Sequence, residues 1–173
     1  QGFIQTTPIQ LCLMTAQIAN GGYKIYPKIV ANDDNQYADK FTPLYKKSRN
    51  IKIVQDAMFS STNEVRGTSY RSRLDDPKYR FAGKTGTSQV KKITELDREL
   101  DLKTFQIPYE ERDHALYVAF GPYQSPRYAL SIIIEHGGSG GTVAAPLAKE
   151  LFKMIVDRHE IRKNYDNKKY LDI

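Results

Sequence analysis

The sequence predicts a mixed α/β fold of the α+β type, in which antiparallel strands pack against a C-terminal helix. Three observations carry this. His114–Tyr123 and Arg127–Glu135 are apolar runs rich in β-branched and aromatic residues, joined by Gln124-Ser125-Pro126, the pattern of a β-hairpin. Phe81–Val90 is a third strand-prone stretch. From about Ala144 to His159, Leu147, Leu151, Ile155 and Ala148, Phe152, Val156 recur at helical spacing as an inward face, opposite Lys149, Glu150, Lys153 and Asp157. A chain of 173 residues is long enough for one domain with its own core.

Taken in order, the chain first offers a helix start at Thr7-Pro8-Ile9-Gln10. Threonine caps, proline occupies the first helical position, and glutamine follows three residues after the cap. Ile9, Cys12, Leu13, Ala16 and Ala19 share one face, with Cys12 as buried filler, and Asn20-Gly21-Gly22 closes the helix. Tyr23–Val30 reads as an edge strand, since Pro27 lacks an N–H for a ladder. Residues 31–50 are polar and turn-rich, and Asp33-Asp34-Asn35 reads as a turn because calcium-loop spacing is missing. Ile51, Val54, Met58 and Phe59 mark a second amphipathic helix over about Asn50–Val65, closed by Gly67. After the central strand, Lys91–Asp113 is mostly charged, with Ile93, Leu96 and Leu100 at helical spacing. It is expected to be a surface flap with one short helix. His136–Thr142 is glycine-rich and able to lie close to a neighbour.

Phe81-Ala82-Gly83-Lys84-Thr85-Gly86-Thr87-Ser88-Gln89-Val90 is where chemistry concentrates. Side chains alternate along a strand, so Thr85 and Thr87 face one way and Lys84 the other. Gly86 between them is expected to let a ligand backbone approach. Two hydroxyls, backbone N–H groups and one ammonium suit a carboxylate or a developing oxyanion. A phosphate-binding P-loop is excluded. Its first glycine would fall at position 78, which is Lys78, and the β-branched, glycine-broken residues after Lys84 oppose a helix. The net charge of +6 is spread along the chain without a nucleic-acid recognition motif. The single Cys12 excludes an internal disulfide and a thiol-based zinc site. No apolar run reaches membrane-spanning length. His114, His136 and His159 begin a strand, end a strand and end a helix, without metal-ligand spacing, so no metal or other cofactor is expected.

Several motifs then line up in one order. These are Gln1-Gly2-Phe3 with Thr7-Pro8-Ile9-Gln10-Leu11, Gly67-Thr68, Lys84-Thr85-Gly86-Thr87-Ser88-Gln89, and His136-Gly137-Gly138 before an Ala-Pro helix. This series resembles the C-terminal half of a class B penicillin-binding protein transpeptidase domain. Glu111-Arg112-Asp113-His114-Ala115 leading into Phe120-Gly121-Pro122-Tyr123 is most similar to the elongation-type penicillin-binding protein 2 of Gram-negative bacteria. The resemblance implies a β-lactamase/transpeptidase-like fold and an acyl-serine D,D-transpeptidase that cross-links peptidoglycan stem peptides and is the target of β-lactams. It gives Lys84 and Thr87 catalytic roles. Lys84 would supply positive potential and orient the proton-relay serine, and the Thr87 N–H would form half of the oxyanion hole. Lys84, Thr85, Gly86, Thr87, Ser88 and Gln89 would make the substrate-binding strand, with the Thr85 and Thr87 hydroxyls on the terminal carboxylate. It also implies no cofactor and no nucleic acid, a periplasmic location at the inner membrane with the anchor outside this chain, and partners such as a RodA-type polytopic glycosyltransferase and elongation-complex scaffold proteins.

In that family the nucleophile motif, Ser-x-x-Lys, and a Ser-x-Asn motif precede the region where this sequence begins, so the chain is expected to lack the nucleophile. Ser88-Gln89-Val90-Lys91 spells the first motif, but on a strand Ser88 and Lys91 face opposite sides. Ser61-Thr62-Asn63 and Ser48-Arg49-Asn50 spell the second by chance. Residues 1–160 are accordingly read as the domain part and 161–173 as a charged tail. A non-catalytic module that binds peptide carboxylates on the same strand is the alternative.

Overall fold

A computed structural model describes residues 4–29, 42–91, 95, 99 and 102–171. Its elements are α1 (Pro8–Ala19), α2 (Ser48–Asn63), β1 (Ala82–Ser88), β2 (His114–Gly121), β3 (Tyr128–Ile134) and α3 (Ala145–Leu171). The strands form one antiparallel sheet in the order β1-β2-β3. β1 is unpaired on its outer side among the described residues.

Strand alternation divides the core between the two sheet faces. Ala115, Tyr117 and Ala119 of β2 pack with Phe81 beneath α3, against Ala145, Ala148 and Phe152. Small alanines bring the helix close to the sheet, and Phe81 stacks on Phe152 with ring centroids 4.9 Å apart. Burying one such phenyl contributes about 1.5–3 kcal/mol. On the other face Ala82 and Phe120 meet Met58 of α2 and Ile18 and Ala19 of α1.

Thr7 and Gln10 close a reciprocal capping box at the start of α1, and Gly21 and Gly22, at φ of 92° and 90°, end it as expected. The buried side chain of this helix is Thr15, whose hydroxyl donates to the Leu11 carbonyl, while Ile9 is half exposed. Cys12 is half-buried rather than buried, its thiol directed at the Ala129 carbonyl and held above its usual pKa by that burial.

Other expectations are corrected. Among the described residues the strand over Tyr23–Val30 reduces to one bridge between Tyr23 and Pro43. Lys24 N–H donates to the Thr42 carbonyl beside that bridge. Asp33-Asp34-Asn35, Ile93, Leu96 and Leu100 lie outside the described residues. Helix α2 begins two residues earlier than expected, and Val54 is exposed. The hairpin loop runs from Pro122 to Arg127, longer than the three residues expected.

Helix α3 buries Ala145, Ala148, Phe152 and Val156, but Leu147 and Leu151 are 45% and 41% exposed, on the flank of the stripe instead of its centre. This helix continues through Leu171, across most of the expected tail, with Arg162 and Lys163 in solvent. His159 therefore sits within a helix, near the Tyr128 ring at 6.0 Å, and the helix-end explanation for it does not hold.

Candidate functional site

Strand β1 carries the expected residues on the outside of the sheet. Lys84, opposite Val118, lies on the α2 side, while Thr85, opposite Tyr117, and Thr87, opposite Ala115, lie on the other. The Lys84 ammonium folds back onto the strand, donating to the Thr85 carbonyl at 2.7 Å and to the Thr85 hydroxyl at 3.3 Å. Ammonium and hydroxyl thus converge although their side chains leave from opposite faces. Thr87 is half-buried, and its hydroxyl has no hydrogen-bond partner among the described residues. Ser88 and Gln89 are exposed at the end of the strand.

Two residues that sequence reasoning did not place join this site. The Thr68 hydroxyl is 3.2 Å from that of Thr85 and 3.3 Å from that of Ser61 at the end of α2. Gly67 permits this approach. A Cβ there would stand 2.2 Å from the Ser61 carbonyl oxygen, so a side chain would push the turn away from α2. Just inside lies a second cluster, in which Thr62 and Ser69 each meet the Tyr117 hydroxyl at 2.9 Å. Burial pushes the Tyr117 pKa up, partly offset by the hydrogen bonds with Ser69 and Thr62, which keeps the phenol protonated.

The glycine-rich segment also reaches the strand. A Cβ on Gly140 would lie 2.5 Å from the Gly86 carbonyl oxygen and 2.3 Å from that of Leu116, and one on Gly141 would lie 2.7 Å from the Thr68 carbonyl oxygen. Gly86 thus also accommodates the protein's own backbone. A Cβ on Gly86 would point at Leu116 Cβ, 3.1 Å away.

The same segment is fastened below. His136, at φ 55°, donates its N–H to His114 Nδ1 at 3.0 Å, and Gly138 N–H donates to the Asp113 carbonyl at 2.7 Å. The base of the Lys91–Asp113 excursion is tied to the strand end by the Lys91–Glu111 ion pair at 2.6 Å and by Val90 N–H on the Asp113 carboxylate. Its described second leg forms two short 3₁₀ turns, Thr104–Gln106 and Tyr109–Glu111.

The look-alike motifs come apart. Ser88 lies in β1, while the Lys91 ammonium is engaged with Glu111. In Ser61-Thr62-Asn63, Ser61 faces Thr68, Thr62 is buried, and the Asn63 amide donates inward to the Phe59 and Phe81 carbonyls. Ser48-Arg49-Asn50 is exposed at the start of α2. Among the described residues no group of three histidine, cysteine or acidic side chains is arranged to hold a metal. Beside Lys84 an apolar groove of about 680 Å³ opens between α1 and α2, lined by Met14, Ile18, Val54, Ala57 and Met58.

Comparison with known proteins places this geometry in context. The penicillin binding protein transpeptidase domain family matches residues 1–153. The peptidoglycan D,D-transpeptidase MrdA of Salmonella typhimurium is 32% identical over 171 residues, covering 91% of this chain and 26% of the relative. Among solved structures, Pseudomonas aeruginosa PBP2 in complex with WCK 5153 is 31% identical with a TM-score of 0.66, covering 89% of this chain and 31% of that one. Helicobacter pylori PBP2 in complex with MreC is 27% identical with a TM-score of 0.71, covering 91% and 26%. The chain spans about a quarter of the length of the curated relatives it matches.

Proposed function

The chain belongs to the penicillin-binding protein transpeptidase family, and we propose that it is the substrate-clamping part of a peptidoglycan D,D-transpeptidase that works through an acyl-serine intermediate and is the target of β-lactams. The observation that carries this is the meeting of the Lys84 ammonium with the Thr85 hydroxyl on an outer strand, beside a Thr87 hydroxyl that has no partner among the described residues. A cation with two hydroxyls is suited to a terminal carboxylate, which only accepts hydrogen bonds.

In this reading the carboxylate of a stem peptide or a β-lactam is held by Thr85 and Thr87 under the potential of Lys84. The scissile carbonyl then lies along β1, where the Thr87 N–H supports its developing negative charge. Lys84 also orients a proton-relay serine. Ser88 and Gln89 extend the binding strand. The nucleophile comes from a part of the protein outside these residues, so the 173 residues by themselves are inactive.

The similarity to a PBP2 in complex with MreC supports an elongation-complex scaffold protein as partner, and the same reading proposes a RodA-type glycosyltransferase as a second one. No described helix is long and apolar enough to cross a membrane, and the proposed location is the periplasmic face of the inner membrane.

Fluorescent penicillin tests the reading. The complete protein becomes covalently labelled and loses most of its labelling rate with Lys84→Met, while this chain alone stays unlabelled. A stoichiometric, denaturation-resistant label on the isolated chain, or full labelling of Lys84→Met, would overturn it.

A further inference from the structure

We infer that Thr68, held by Ser61, is a positioning residue that sets the direction of the Thr85 hydroxyl and frees it to donate a hydrogen bond to an arriving carboxylate. This rests on the carboxylate-clamp reading above and adds a residue to it. The argument is one of donors and acceptors. An ammonium has only protons to give, so at 3.3 Å the Thr85 oxygen must accept from Lys84. Its own single proton then points elsewhere; the 3.2 Å contact with the Thr68 oxygen fits either direction, and in the inferred resting state Thr85 is the donor. In that state the Thr68 hydroxyl donates in turn to the Ser61 oxygen at 3.3 Å, a contact that also fits either direction. One fixed charge thus orders three rotatable hydroxyls, with polarisation running from Lys84 toward Ser61.

When a carboxylate reaches Thr85, the Thr85 proton turns to the stronger, charged acceptor. Thr68 then rotates and donates to the lone pair on Thr85 that its own oxygen had faced. Thr85 would accept from both Lys84 and Thr68 while donating to the ligand, the state in which a hydroxyl donates best. Valine at 68 cannot make that reversal, and serine can.

The backbone is arranged to keep Thr68 in place for this. Gly67 lets the turn close on α2, Ser69 N–H donates to the Ser61 carbonyl at 3.1 Å, and Gly141 lies against the Thr68 carbonyl. Such a fit would be surplus for an ordinary solvent-facing threonine.

The test uses the complete protein and two acylating agents, a penicillin and its methyl ester, which lacks the carboxylate charge. Thr68→Val should lower the second-order acylation rate with the acid about tenfold, the scale of one hydrogen bond to a charged group, through weaker binding with the limiting rate retained. With the ester it should change little. Thr68→Ser should restore the rate to within about threefold, since serine keeps the hydroxyl. Ser61→Ala, which removes only the end of the chain, should lose a few-fold on the acid alone. Thr68→Val added to Thr85→Val should cost nothing further, because Thr68 acts through Thr85.

If wild type does not distinguish acid from ester, the clamp reading itself fails. If wild type distinguishes them but Thr68→Val slows both agents equally, changes neither, or adds to Thr85→Val, the positioning role is wrong and the clamp stands. Should Thr68→Val not fold, Ser61→Ala and Thr68→Ser decide on the same acid-to-ester ratio.

Discussion

Two hydroxyl clusters grow from the same two short stretches of chain, one residue apart. Thr62 and Ser69 turn inward to Tyr117, and all three are essentially without solvent exposure. Their neighbours Ser61 and Thr68 turn outward to Thr85 and the Lys84 ammonium. The inner cluster is closed, since each of its hydroxyls finds protein partners, and a buried polar network of that kind fixes one arrangement of α2, the Gly67 turn and β2. The outer cluster is open, with a fixed positive charge at one end and, two residues along, a Thr87 hydroxyl that has no partner among the described residues. Similar side chains thus divide into holding the fold and meeting a ligand. Burial and charge make the difference.

Substitutions in the two clusters should therefore separate activity from stability. The largest effect is expected from Lys84→Met in the complete protein, where acylation by penicillin falls by on the order of 10²–10³, as when a preorganised electrostatic group is removed. The melting temperature should barely move, because Lys84 is exposed. The converse is Tyr117→Phe. It leaves the buried Thr62 and Ser69 hydroxyls without their shared partner and should cost about 1–3 kcal/mol in denaturant unfolding, with acylation within about twofold of wild type. A catalytic loss without a stability loss at Tyr117, or the reverse at Lys84, would break the division.

A smaller effect is expected far from both clusters, where α3 meets the chain before β1. The Asp157 carboxyl is held below its usual range first by the Tyr79 hydroxyl and then by Lys78, whose ammonium also pairs with Glu160 at 2.7 Å and is pushed up by it. A carboxylate with a lowered folded pKa contributes stability above its unfolded pKa of about 3.9 and loses it as pH falls through the folded value. Asp157→Asn should lower the melting temperature slightly at pH 7, and the gap to wild type should close as pH falls below the unfolded value and through the lowered folded one. A gap that persists in acid would mean that Asp157 contributes through packing and not through charge. Acylation should be unaffected at either pH, which sets this surface contact apart from the outer hydroxyls.

Much of this was legible in the sequence where local rules act alone. The Thr7–Gln10 capping box, the glycine stop of α1, the strand-forming runs and the position of Lys84, Thr85 and Thr87 follow from spacing and residue type. What escaped depends on partners distant in sequence. Tyr23–Val30 has strand-like composition but, among the described residues, gains only one bridge, because a strand exists only where a neighbour supplies the ladder. Leu147 and Leu151 have the right period but lie beside the alanine and phenylalanine stripe that the sheet selected. Thr68 stands in the motif series only beside Gly67 and Ser61 only in a chance Ser-x-Asn match, and neither context says that the two meet Thr85. The nearest clue was Gly67, whose need for close approach to α2 appears only when α2 is in place.

The central claim, that β1 grips a substrate carboxylate, is tested most directly by the acylation rate of Thr87→Val in the complete protein. Valine keeps the branched shape and strand preference of threonine and leaves the backbone N–H in place, so only the hydroxyl is lost. The account predicts a fall of about tenfold or more with the fold intact, which corresponds to the roughly 1.5–3 kcal/mol of a hydrogen bond to a charged group. A rate within about twofold of wild type, below the scale of any such bond, would contradict it.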